Sequence, residues 1–223
     1  MERMYAEYNA LIDTTREQVS DGGEITIGVM EAGLTEQVRD ILKRFSAEYP
    51  AIRVSFREIA EIEVFDQLQA GGIDCAIVAH FPPMYHDRMT GHIIQQAKIC
   101  AVLNAADPLA ARSELYVRDL KNESFIIVDN EKSELGYNSI MSLCLDSGYS
   151  PRITRRENSI TTALSAVDLN YGCMILTDNL KNLAGSDTVF IPLADAEPGA
   201  IWAVYNSSNT SPAIADLKSL LTE

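Results

Sequence analysis

Three histidines, His80, His86 and His92, stand six residues apart with Asp87 beside the second, and imidazole with carboxylate is a common ligand set for zinc. That spacing matches no tight ligand motif, so no metal is expected. Four cysteines, Cys75, Cys100, Cys144 and Cys173, are widely separated, mostly lie in apolar runs and form no CxxC pair. Buried free thiols are the expectation, with a disulfide or sensor pair as the alternative. No GxSxG, HExxH, GxGxxG or phosphate-loop pattern occurs, so no nucleophile or cofactor site is nominated and an enzyme is not expected. Glu31, Asp129 and Glu131 lie near helix starts, where acids balance the helix dipole or line an acidic cleft suited to a cationic or amine-bearing ligand. Thr35, Ser133, Ser159 and Thr161 lie at or near helix starts too, as N-caps, ligand contacts or both. His80 ends an apolar run beside Phe81, and an imidazole there would titrate near neutral pH.

The element that positions the first of these groups runs from Glu24 to Pro50. Ile25, Ile27 and Val29 alternate with Thr26 and Gly28, the period of a strand. Leu34, Val38, Ile41, Leu42, Phe45 and Tyr49 then recur at helical spacing, with charged residues between them, until Pro50 ends the helix. In an open α/β sheet the loop after such a strand, here Met30 to Thr35, directs backbone N–H groups toward a ligand crevice.

Composition narrows the classes. The chain has 223 residues, 47% hydrophobic and 22% charged, which suits a globular protein with one large or two smaller domains. With 32 acidic against 18 basic residues and a net charge of -14, it is expected to repel a phosphate backbone rather than bind nucleic acid directly. There is no apolar run of membrane-spanning length, and the first residues carry acids where a secretory signal has an apolar stretch. A cytoplasmic protein with no membrane partner is expected.

Along the chain, Ile52, Val54 and Phe56 mark a second strand, Ile62, Phe65 and Leu68 a second helix, and residues 73–80 a buried parallel strand. Residues 81–98 read as a loop and a crossing segment. From Phe125 the order repeats: strand, helix over Tyr137, Ile140, Met141 and Cys144, strand at Ile153, helix over Ile160, Ala163, Leu164, Val167 and Tyr171, then strand from Cys173. Two β-α-β-α-β runs predict an α/β fold of two Rossmann-like subdomains with mostly parallel sheets, a two-strand hinge and a ligand cleft between them. The expected boundaries are residues 1–22 for a short helix, 23–98 with 200–223 for subdomain I, and 99–199 for subdomain II.

The ordered set ITIGV, RFSAEYP, LQAGGIDCAIV, ICAVLNAADPLA, LYVRDLKNESFIIV and SGYSPRITRRENSITTALSAVDLNYGCMILTDN resembles the effector-binding part of LysR-type transcriptional regulators, over about residues 24–222. The resemblance implies the type 2 periplasmic-binding-protein fold and a domain that senses a small-molecule effector and forms a homodimer or homotetramer, in which residues 34–57 meet another subunit. Residues 1–22 then look like the end of a linker helix, and DNA contact would belong to an N-terminal winged helix-turn-helix absent from this chain. No cofactor is implied. By position the effector contacts would be Met30, Glu31, Ala32, Thr35, His80, Phe81, Asn130, Glu131, Ser133, Ser159, Thr161 and Thr177. The chain departs from the family where Met30 and Ala32 replace hydroxyl residues and Thr177 replaces proline. A solute-binding protein, or an enzyme on this fold, is the alternative.

Overall fold

The structure, a computed structural model, describes residues 23–30, 33–128 and 134–221. In chain order the first elements are β1 (Glu24–Val29), α1 (Glu36–Glu48), β2 (Arg53–Glu58), α2 (Val64–Ala70), β3 (Cys75–Val78) and β4 (Met89–Ala97). Then come β5 (Ile99–Asn104), β6 (Ser124–Val128), α3 (Glu134–Asp146), β7 (Arg152–Glu157), α4 (Ile160–Asp168), β8 (Met174–Thr177), β9 (Thr188–Pro192), β10 (Gly199–Asn206) and α5 (Pro212–Leu221). The chain divides into two compact units, Met1–Gln95 with Ile201–Glu223, and Gln96–Ala200. The expected helix over residues 1–22 lies outside the described residues.

The first unit is built on a five-stranded sheet in the order β2-β1-β3-β10-β4. β1 pairs in parallel with β2 and β3, as strands joined by helical crossovers must. β10 is antiparallel to β3, with Ala203 opposite Ile77. It arrives from the other unit rather than through a helix, so the crossover rule does not govern its direction. All four residues of β3 are buried, because Cys75 and Ile77 join one core and Ala76 and Val78 the other. That two-sided burial is the reason its sequence does not alternate.

On one face, Val38, Leu42 and Phe45 of α1 and Ile214, Leu217 and Leu220 of α5 close over Ile25 and Ile27. On the other, Val64, Phe65 and Leu68 of α2 pack on Ile73, Ala76, Val78 and Val204. Two expectations need correction here. Ile62 stands in a 3-10 turn ahead of α2 and is 65% exposed, while Phe56 on β2 is 52% exposed. Strand periodicity groups Phe56 with Ile52 and Val54 but cannot show how far the covering helix reaches. The segment read as loop and crossing is also different, since residues 89–97 form β4.

In the second unit β5 lies between β8 and β9 and is antiparallel to both. β6 and β7 pair in parallel, and a parallel bridge joins Phe125 to Cys173. The arrangement is therefore mixed rather than mostly parallel, for the same reason as at β10: β5 enters directly from the other unit. Ala163, Leu164, Ala166 and Val167 of α4 pack on Val102, Ile126 and Met174. Tyr171, expected on that helical face, is 53% exposed. The helix has already ended at Asp168, and Asn170 turns the chain through a left-handed backbone angle, φ 58°. The four cysteines are buried and unbridged. Among the described residues no helix is long and apolar enough to cross a membrane.

Candidate functional site

In the first unit the carboxyl ends of three adjacent parallel strands supply the candidate side chains. β1 leads to Met30 and Thr35, β2 to Glu61, and β3 to His80 and Phe81. Gly33 N–H donates to the Met30 carbonyl at 2.9 Å. Thr35 caps α1, its hydroxyl oxygen accepting from Val38 N–H at 3.3 Å, and it is buried. Met30 packs against the core formed by α2 and the sheet. An apolar side chain at a position where the resembling family carries hydroxyls thus has a packing role in this chain.

His80 was singled out by sequence; its partner was not. His80 Nδ1 lies 3.2 Å from Glu61 Oε1, and the carboxylate is only 9% exposed. An ionised carboxylate can only accept, so it holds a proton on Nδ1 and leaves the lone pair of the neutral ring on Nε2. The signal for Glu61 was the acidic stretch that begins at the last residue of β2, where three acids within six residues (Glu58, Glu61, Glu63) made none of them distinctive.

Phe81 stands at the centre of an aromatic group. Its ring centroid is 6.3 Å from Phe65, 5.7 Å from Trp202 and 4.4 Å from His86. Phe65 in turn stacks on Tyr85 at 3.9 Å. Gly91 on β4 makes this packing possible, because a Cβ there would fall 2.6 Å from the Phe81 ring. The three histidines go to different partners: His80 to Glu61, His86 Nε2 to the Phe81 carbonyl at 3.3 Å, and His92 Nε2 to the Tyr205 hydroxyl at 2.8 Å. Among the described residues no group of histidine, cysteine or carboxylate side chains gathers as metal ligands.

In the second unit Ser159 follows β7 and caps α4, accepting from Thr162 N–H at 3.1 Å. Thr161 is exposed in the first turn, and its carbonyl accepts from the Ser165 hydroxyl at 2.9 Å. Thr177 ends β8 opposite Ile99 and its side chain caps nothing. Of the remaining candidates, Glu31, Ala32, Asn130, Glu131 and Ser133, together with Asp129, lie outside the described residues.

The thiols have no part in such chemistry. Burial pushes Cys75 up to about 12, helped by the Asp74 carboxylate, and Cys100 up to about 11, helped by Asp178. Cys144 and Cys173 are raised by burial as well.

Comparison with known proteins agrees with this architecture. The family described as LysR substrate binding domain matches residues 18–223. The HTH-type transcriptional regulator AlsR of Bacillus subtilis is 22% identical over 193 residues, which cover 86% of this chain and 63% of AlsR. XapR of Escherichia coli, also an HTH-type transcriptional regulator, is 24% identical over 211 residues, 93% of this chain and 70% of that protein. Among solved structures, full-length CbnR complexed with its target DNA superimposes with a TM-score of 0.81 at 16% identity, over 96% of this chain and 78% of CbnR. The BenM effector binding domain with its effector benzoate gives 0.76 at 17% identity, over 89% of this chain and 90% of that one.

Proposed function

Because this chain belongs to the LysR substrate-binding domain family, we propose that it is the ligand-sensing and oligomerising part of a LysR-type transcriptional regulator. The observation that carries the reading is the family match over residues 18–223. A small-molecule effector binds at the carboxyl ends of the strands, the region where open α/β sheets place ligands. In the first unit the candidate contacts are Met30, Thr35, His80 and Phe81, and in the second unit the candidates are Ser159, Thr161 and Thr177. Glu31, Ala32, Asn130, Glu131 and Ser133 complete the set of candidates. A thermal-shift screen of metabolites tests the reading, since a ligand at 100 times its Kd stabilises the folded state by about 2.7 kcal/mol. Absence of any stabilising compound across a broad metabolite collection counts against it.

DNA contact belongs to a separate helix-turn-helix part. CbnR is full-length in its DNA complex, and the net charge of -14 here suits a sensor better than a DNA-reading surface. The chain self-associates through residues 34–57, the α1 and β2 region, where Phe56 is exposed. Light scattering is expected to give a dimer or tetramer; a monomer at every accessible concentration would remove this part of the reading.

A further inference from the structure

Strand register brings four segments of the first unit to one level at the end of its sheet. Val29 of β1 lies opposite Glu58 of β2 and Ile77 of β3, and Ala203 of β10 lies opposite Ile77. The segments leaving this level carry Met30, Glu61, His80 and Phe81, and Trp202 stands one residue ahead of Ala203. Met30, Phe81 and Trp202 are half-buried and pack against the core beneath α2. The titratable pair among these groups is His80 with Glu61, Nδ1 to Oε1 at 3.2 Å, and their side chains are 36% and 9% exposed. A molecule arriving from solvent therefore reaches the imidazole rather than the carboxylate.

With Glu61 accepting from Nδ1–H, the lone pair of the neutral ring lies on Nε2. An anion brought to this ring would meet the Glu61 carboxylate, in a chain of net charge -14, and like charges that close repel. A hydrogen-bond donor meets no such cost. We propose that His80 is a specificity-determining contact of the sensor, its neutral Nε2 accepting a hydrogen bond from a hydroxyl or ammonium group of the effector. This rests on the sensor reading above and adds to it a ligand class and a pH dependence. Imidazoles change charge between about pH 5 and 8, and the charged ring has N–H on both nitrogens and no lone pair. Acid therefore competes with the donor, and binding expels the Nε2 proton. Among the described residues, the charged and titratable groups on the bordering segments are Glu58, Glu61 and Glu63 between β2 and α2, and His86, Asp87 and Arg88 after Phe81. Of the two other basic groups, His86 Nε2 lies 3.3 Å from the Phe81 carbonyl and Arg88 donates to Gln69 at 3.5 Å.

The test is calorimetry on the 223-residue chain at about pH 5.5 and about pH 7.5, in two buffers of different ionisation heat. The probes are amino acids, polyols and hydroxy acids, set against simple carboxylates with no donor group. Compounds that bind are expected to carry donors, to bind about threefold or more weakly at the lower pH, and to release protons there. His80→Gln, which keeps an acceptor oxygen that does not titrate, is expected to bind the same compounds with no pH dependence. His80→Leu, which offers no acceptor, is expected to bind them about tenfold more weakly. Melting temperatures show whether both variants fold, and the proton balance of the wild type needs neither. Tighter binding at the lower pH with proton uptake would mean that the imidazolium holds an anion, and would overturn the proposal. So would a compound bound equally well at both pH values, or equally well by His80→Leu. Each of these outcomes leaves the sensor reading intact. If nothing binds the wild type, the sensor reading falls, and this inference with it.

Discussion

Glu61 and His80 are 19 residues apart in sequence and 3.2 Å apart at the ends of two strands that flank β1. The carboxylate fixes which imidazole nitrogen carries the proton, and so what a molecule approaching the ring would meet. In the neutral ring the Nδ1–H form is expected to dominate, and Glu61→Gln, which offers both a donor and an acceptor, to mix the two forms. Long-range proton–nitrogen correlation spectra of labelled histidine read this directly. A wild-type His80 carrying its proton on Nε2 would contradict the assignment.

Thr35 links the fold to the candidate site, because its hydroxyl caps α1. Thr35→Val is expected to cost about 1 kcal/mol of stability in urea denaturation, and Thr35→Ser to restore most of it. Effector affinity should follow the same order. Affinity lost in Thr35→Ser, with the cap retained, would show that the methyl group rather than the hydroxyl matters.

Gly91→Ala is expected to destabilise the protein by about 1–3 kcal/mol, the usual cost of overpacking, since the new Cβ meets the Phe81 ring at 2.6 Å. The chain has one tryptophan, Trp202, whose ring lies 5.7 Å from Phe81. Its emission maximum should move when Phe81 is displaced, so fluorescence and melting temperature should change together. Unchanged emission with unchanged stability would mean that the aromatic group absorbs a methyl without strain.

The thiols set a pH dependence. With Cys75 raised to about 12 and Cys100 to about 11, the folded state keeps both protonated where the unfolded chain, with thiols near 8.5, has begun to ionise. The contribution is complete below the unfolded value and is lost as pH rises toward the folded ones. The urea midpoint should therefore fall between about pH 9 and 11, and Cys75→Ala should flatten the fall. At pH 8 a thiol reagent should react slowly with the native protein and quickly with all four cysteines after unfolding.

Much of the fold was legible because its signals are local. The apolar positions Val38, Leu42 and Phe45 of α1 recur at helical spacing and are the residues that face the core. Thr35 and Ser159 were readable as caps for the same reason, since a cap and the N–H it accepts from lie three residues apart. Phe56 and Ile62 misled because exposure depends on where a covering layer ends, and Tyr171 because one left-handed residue, Asn170, ends the helical register before it.

The sequence by itself determined two runs of alternating strands and helices, the two-sided burial of β3, and the absence of any reactive motif, because each depends on periodicity or residue type within a short window. Tertiary structure alone decided that β5 runs antiparallel to β8 and β9 and β10 antiparallel to β3, since those strands enter from another unit and no helical crossover dictates their direction. It alone paired His80 with Glu61. Whether a polar atom finds a partner depends on groups that chain order keeps apart and only packing brings together.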